Sequence, residues 1–455
     1  MDIKKDIELA AEAPAVVLEE GVEMAEKAEK ALVSKRPFQL AKEYANTLGP
    51  GLITGAADDD PSGIATYSQT GAATGFNLLW LSLFSFPFMA VVQEMCARIG
   101  IATGRGLAAN MRTLFPAWTL YVSAIFFFAA NVFNIGADLG AMAKAMQLVF
   151  PVLDFSTLVI GFVVISLLLQ IFTTYARYAQ YLKYLTFALF AYVATALVLN
   201  IDWSDALMHT IVPQMSFSKD SLLLICAILG TTISPYLFFW QTSQEVEEAE
   251  LRKHHVVRRG RSHESKHVRI RTMRIDTWTG MFISNAIMFF IISVSAAVFA
   301  THGITNIQTS DQAALALTPL AGRWATLLFA LGIIGTGMLA VPILAGSASY
   351  AVSDIFGWET GLYKKLHEAY AFYGVIIIAM LIGLIMNFSG LNPIRALFWS
   401  AVGNGIVAPL LIIFIVLIAS NKKVMGEHAN GIASNVLGWL TVVIMAAVGI
   451  AALVL

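Results

Sequence analysis

Three consecutive carboxylates followed by a proline stand in the middle of an otherwise apolar stretch, GPGLITGAADDDPSGIATYSQTGA. Asp58, Asp59 and Asp60 are oxygen donors of the kind that hold hard cations. Pro61 removes a backbone donor and disfavours helix at Asp60, so the chain breaks beside the acids. A break frees carbonyls that can ligate the same ion. A second interruption, Gly230-Thr231-Thr232-Ile233-Ser234-Pro235-Tyr236, divides another apolar stretch in the same way but without charge. A lone Ser/Pro kink would be ordinary. Two interrupted helices in corresponding positions point to a transporter site near the membrane midplane.

The elements that must position these residues are membrane spans. The chain of 455 residues is 58% hydrophobic and 13% charged, with a mean hydropathy of +0.71. A soluble domain keeps roughly a quarter of its residues charged. Apolar blocks of bilayer length, about 20 residues each, recur along the sequence. Eleven spans are expected, near 48–71, 76–97, 117–149, 157–175, 182–201, 221–245, 279–300, 324–352, 371–389, 393–419 and 434–455. Residues 1–43 read as an Ala/Glu/Lys-rich cytosolic tail without a cleavable signal, and 44–455 as the transmembrane unit. Acids inside such spans are costly unless they face a cavity or a cation, which makes them functional by default.

Lys and Arg fix the expected orientation. With the N-terminus in the cytosol, Arg98, Arg105, Arg112, Arg177, Lys183, the basic 251–274 loop, Lys364, Lys365, Lys422 and Lys423 all face inward. The outer loops keep only Lys219, Arg323 and Arg395. This bias predicts a multi-pass protein of the cell (inner) membrane with its N-terminus inside. His254, His255, His263 and His267 in the basic loop are read as part of a solvated loop. Cys96 and Cys226 both lie in apolar spans and read as packing residues. A formal net charge of −1 gives no reason to expect a nucleic-acid partner.

At these residues the sequence resembles the NRAMP family of proton-coupled divalent metal transporters, over nearly the whole chain from Gly49 onward. The signposts are GPGLITGAADDDPSGIAT, the stretch Ala97 to Arg105, and ILGTTISP. The resemblance implies an all-α polytopic fold of the LeuT type. Inverted repeats would cover about 44–201 and 221–420, with an extra span at 434–455. It implies a transported divalent cation as substrate, the bilayer as surroundings and no resident cofactor. The family's first-span motif Asp-Pro-Gly-Asn is met here by Asp60-Pro61-Ser62-Gly63, and its sixth-span Met-Pro-His by Ser234-Pro235-Tyr236. The third-span aspartate falls on Asp138, and Ala141 stands where the family has a glutamate.

The departures bear on substrate. Ser234 offers a hard hydroxyl in place of a soft thioether, and Gly63 removes an amide, which predicts a wider, oxygen-lined site. Oxygen ligands suit Mg²⁺, Ca²⁺ and Mn²⁺. The chain is similar in this to the NRAMP-related magnesium transporters. Tyr236 and Ala141 remove two groups linked to proton handling, so weak or absent proton coupling is expected.

The expected metal ligands are therefore Asp60, the carbonyl of Ala57, Gly63, Ser234, Gln241 two turns beyond Ser234, and Asn404 within span ten. Packing is an equal use for Gln241, and a helix–helix hydrogen bond is the commoner one for Asn404. Three carboxylates cannot all face one small ion, so at least one points elsewhere or is protonated. Asp138, Asp59 and Tyr236 are placed along the cation or proton path. Glu94 reads as a helix ion pair with Arg98, Lys144 as a snorkelling base, and Phe126 to Phe128 as packing. A channel would show a repeated filter, and an amino-acid carrier would not put three acids where a substrate carboxylate binds. A proton-coupled transition-metal symporter, or a LeuT-fold carrier of another small solute, is the alternative reading. A non-transporting sensor is the remaining rival, and no catalytic constellation for an intramembrane hydrolase is evident.

Overall fold

The computed structural model describes residues 49–173, 187–259 and 266–454. Among them the secondary structure is helical throughout. The two halves of span one are α1 (Pro50–Asp58) and α2 (Pro61–Thr74), followed by α3 (Trp80–Thr103), α4 (Ala117–Val149), α5 (Phe155–Phe172) and α6 (Phe190–Val198). The halves of span six are α7 (Lys219–Thr232) and α8 (Pro235–Arg259). Then come α9 (Lys266–His302), α10 (Ala325–Phe356), α11 (Tyr370–Met386), α12 (Pro393–Ser420) and α13 (Ile432–Val454). Shorter helices such as Leu107–Leu114 and Trp203–Ile211 connect them.

Eight segments of the described residues are long and apolar enough to cross a bilayer, and Phe187–Val198 and Tyr370–Met386 are shorter apolar helices. Span one is absent from both groups because any bilayer-length stretch of it includes Asp58, Asp59 and Asp60. Part of the expected span 182–201 and the whole tail 1–43 lie outside the described residues, as do Arg177, Lys183, Arg261 and His263. The described part of the basic 251–274 segment is helical rather than a loop. Helix α8 continues to Arg259 and α9 starts at Lys266. Glu, Ala, Lys and Arg are strong helix formers, and their charge does not stop a helix once it has left the membrane.

The interior is built around α4, which packs along α10, α11 and α12, while α9 runs beside α1 and α2. The α1–α9 crossing is close enough to need glycine on both sides. A methyl group at Gly55 would stand 2.3 Å from the Gly280 carbonyl oxygen, and one at Gly51 2.6 Å from the Thr277 nitrogen. Helix α1 has no side-chain cap of its own. Asp276 of α9 supplies one, accepting from the backbone N–H groups of Gly49 (2.9 Å), Gly51 (2.7 Å) and Leu52 (3.0 Å). Such charge-assisted bonds at a helix start also benefit from the helix dipole.

Near the same end, Glu94 does more than pair with Arg98. Its carboxylate accepts from Arg274 Nε (3.0 Å) and Trp278 Nε1 (2.9 Å), tying α3 to α9. The Arg98–Glu94 contact is the longer one at 3.8 Å. Lys144 reaches Gln147 (3.1 Å) and lies over the Phe155 ring, as a snorkelling base does. Phe127 is buried and Phe126 exposed, while Cys96 and Cys226 are buried free thiols.

Candidate metal centre

Both breaks have the same backbone plan: a half-helix ends, two residues intervene, and a proline starts the next half. In span one Asp60 is the N-cap of α2, with φ −67° and ψ 173°. Its Oδ1 accepts from the Gly63 N–H (2.8 Å) and the Ser62 hydroxyl (2.6 Å). Its Oδ2 accepts from Asn134 Nδ2 of α4 at 3.2 Å. The Tyr236 hydroxyl lies 3.5 Å from the same oxygen and donates to the Ala57 carbonyl at 2.8 Å. With one hydrogen to give, Tyr236 spends it on the shorter contact. Asp60 is thus a buried carboxylate at a helix N-terminus, where negative charge is favoured.

The other two acids turn away. Ser284 Oγ of α9 lies 2.8 Å from Asp58 Oδ2 and 3.2 Å from Asp59 Oδ1. One hydroxyl holds one hydrogen, so it serves a single carboxylate at a time. The remaining oxygens, Asp58 Oδ1 and Asp59 Oδ2, are buried without a hydrogen-bond partner among the described residues. Asp59, expected on the ion path, therefore faces α9 rather than α4. No three His, Cys, Asp or Glu side chains converge on one point among the described residues. The fan of acids explains why: one carboxylate faces the break's centre and two face its flank.

At the second break Ser234 is buried and its hydroxyl turns back onto the end of α7, toward Thr231 O (2.6 Å) and Gly230 O (3.1 Å). Its lone pairs stay available. The two breaks adjoin each other, because a methyl group at Gly63 would stand 3.1 Å from Thr231 Oγ1. The Thr231 hydroxyl thus stands beside Gly63, and the surroundings of the break are lined with oxygen.

Gln241 lies on α8 two turns beyond Ser234. Thr54 of α1 donates to its Oε1, and its Nε2 donates to Glu245 at 3.3 Å, so both ends of the amide have protein partners. It links α8 to α1 through Thr54. Asn404 sits on α12, which meets α7 backbone to backbone at Gly230 and Gly405. Both atoms of its buried amide lack a partner among the described residues. Asp138 is fully buried with both oxygens in the same condition.

Two contributors escaped the sequence reading. Asn134 is one, and its signal was present: Asn131, Asn134 and Asp138 recur at helical spacing in an apolar span and share one face. Asn131 uses its amide to bond Leu344 O of α10 at 3.1 Å. Ser284 is the other, and nothing in its own neighbourhood marks it.

A cavity of about 620 Å³ opens beside α2, α7 and the start of α12, with Gln69, Asp220, Asn306 and Arg395 on its wall. A narrower space shares Ala65 with it and continues past Ser68 to Ile64, one residue beyond Gly63. At the opposite end the glycine crossing, the Asp276 cap and the Thr54–Gln241 bond close the approach.

The family model described as "Nramp: Natural resistance-associated macrophage protein-like" matches residues 51–455. The chain is similar to the divalent metal cation transporter MntH of Caldanaerobacter subterraneus subsp. tengcongensis, 27% identical over 406 residues, covering 88% of this chain and 90% of the relative. In fold it is similar to the Eremococcus coleocola manganese transporter (TM-score 0.71, 16% identity, 91% of this chain and 87% of that one). It is also similar in fold to Mhp1, a nucleobase-cation-symport-1 family transporter (TM-score 0.53, 17% identity, 89% and 90%). The helical, LeuT-type architecture, the paired breaks and the match from residue 51 to the last residue agree, and the chain belongs to the Nramp family of integral membrane transporters.

Proposed function

We propose that the protein is a divalent metal cation transporter that imports a hard ion, Mg²⁺ or Mn²⁺, with little or no proton coupling. One observation carries the choice of ion: the donors at the two breaks are oxygens only. Residues 57–63 and 230–236 contain no sulfur and no imidazole. Asp60 would supply the charge, and the carbonyl of Ala57 and the hydroxyl of Ser234 neutral oxygens; Asn404 completes the set from α12. Such a set favours Mg²⁺, Ca²⁺ and Mn²⁺ over softer ions, and Mg²⁺ keeps several of its waters. Relatives named as MntH support the divalent-cation class, and the family match supports transport.

Alternating access follows from the same geometry. With the N-terminus in the cytosol, the cavity beside α2 opens outward and the closed α1–α9 crossing faces inward. An ion entering past Ser68 meets Asp60 at the start of α2. Release requires α1 to part from α9 while α2 stays. On this reading the inverted repeats span 44–201 and 221–420, with 434–455 added. Tyr236 is tied to Ala57 by a bond that does not titrate near neutral pH. A potential negative inside draws a doubly charged ion inward by about 4–5 kcal/mol at 100 mV, so accumulation needs no proton gradient.

The test is uptake into proteoliposomes under a potassium-diffusion potential, with Mg²⁺, Mn²⁺ and Ca²⁺ competed and internal pH recorded. Expected is hard-ion uptake without acidification. Proton influx in a fixed ratio to metal, lost in Asp138→Asn, would overturn uncoupled transport. Preference for a soft ion such as Cd²⁺ over Mg²⁺ would overturn the choice of cargo.

A further inference from the structure

We infer that span three supplies the second half of the cation site, with Asn134 contributing its amide oxygen and Asp138 its carboxylate opposite Asp60. This rests on the reading of Asp60 as the metal-binding acid. Asn134 is fully buried and its amide is aimed at Asp60, with Nδ2 at 3.2 Å from Oδ2. Its own Oδ1 has no partner among the described residues. A side-chain amide is two-faced: turned by half a rotation about its last bond, it presents an acceptor where it presented a donor. Beside the bare carboxylate the N–H₂ face is the favourable one. Beside a carboxylate holding a cation the oxygen face is.

Asp138 follows Asn134 by one helical turn on the same face of α4. It is within Coulomb reach of Asp60 and of the Tyr236 hydroxyl. Both its oxygens are buried without a partner among the described residues. A buried carboxylate in that condition is costly unless it carries a proton or a cation stands beside it. Asn131, on the same stripe, gives its Nδ2 to Leu344 O of α10, so Asn134 is the amide of the stripe that meets Asp60. The loss of an amide at Gly63 on span one is then offset by an amide on span three. All three groups are oxygen donors, in keeping with a hard ion.

The experiment measures Mg²⁺ and Mn²⁺ binding by calorimetry on the full-length protein in detergent, with size-exclusion profiles checked. Asn134→Ala and Asp138→Asn are each expected to weaken binding roughly 10-fold or more, as loss of a site oxygen does. Asn134→Asp separates ligand from positioning residue, because it keeps an oxygen and removes the donor. Binding within a few-fold of the parent, or tighter, supports ligation. A loss equal to that of Asn134→Ala shows that Asn134 only orients Asp60, and overturns its part. Parent-like binding in Asp138→Asn overturns the part of Asp138. If Asn134→Ala does not fold, the other two variants decide. Asp60→Ala keeps the two readings apart: full binding there overturns the Asp60 site itself. Lost binding there, with span-three variants unchanged, overturns this inference alone.

Discussion

In span one the residue before the proline points forward, and in span six it points back. Asp60 caps the helix that follows it, taking N–H and hydroxyl hydrogens on Oδ1 and leaving Oδ2 toward α4. Ser234 gives its one hydrogen to the helix that precedes it, where the Thr231 carbonyl is the nearer acceptor at 2.6 Å. The first break therefore gathers negative charge at a helix N-terminus, and the second blunts the negative end of a helix with a neutral group. A shared backbone plan has been given two jobs. On the function proposed above, the first break holds the cation and the second sets which cation suits.

That division breaks most visibly at the acid. Asp60→Ala is expected to lower metal uptake by at least about 100-fold, as removal of a buried charged partner does, while insertion and solution behaviour stay intact. Uptake near the parental level in liposomes would place the ion elsewhere. A smaller effect is expected at the flanking acids, which face Ser284. Asp58→Asn should reduce uptake by no more than about 10-fold, since its Oδ2 is held by Ser284 of α9 and it makes no hydrogen bond to Asp60's partners Asn134 and Tyr236 among the described residues. A loss equal to that of Asp60→Ala, measured side by side, would merge the three acids into one functional group.

The second break should show in preference rather than in rate. Ser234→Met is expected to raise the ratio of Cd²⁺ to Mg²⁺ affinity by roughly 5- to 10-fold, about 1 kcal/mol, because a thioether favours softer ions. Unchanged competition between the two ions would remove Ser234 from the metal's surroundings. The smallest effect is expected for Tyr236→Phe. It deletes one hydrogen bond to the Ala57 carbonyl, worth about 1 kcal/mol, so uptake should change a few-fold and the pH profile should keep its shape. A new pH dependence in that variant would give the hydroxyl a role in proton handling.

Both breaks, and the helical fold around them, were legible because proline, glycine and intramembrane acids interrupt an apolar pattern locally. Asp60 was legible for the same reason, standing directly before Pro61. The directions of Asp58 and Asp59 were not, since they depend on how the last turn of α1 is rotated against α9, more than 200 positions later in the chain. Ser284 is set by that same crossing. Gln241 was placed near the ion by helical spacing alone, which cannot see that Thr54 and Glu245 occupy its amide. Asn134 was within reach of the sequence, as a member of a polar stripe whose charged end, Asp138, drew the attention. The basic 251–274 segment was read by charge, and charge does not distinguish a loop from a helix extending into water.

The Asp276 cap has a consequence for how the protein moves. A single carboxylate gathers the first three free N–H groups of α1, and the two glycine contacts below it leave no slack for a partial slide. Three bonds that share one acceptor are lost together when the helix start departs. Opening at that end is then all-or-none, with two discrete positions and few between, rather than a gradual loosening. A helix start held in that way opens by discrete events rather than by degrees.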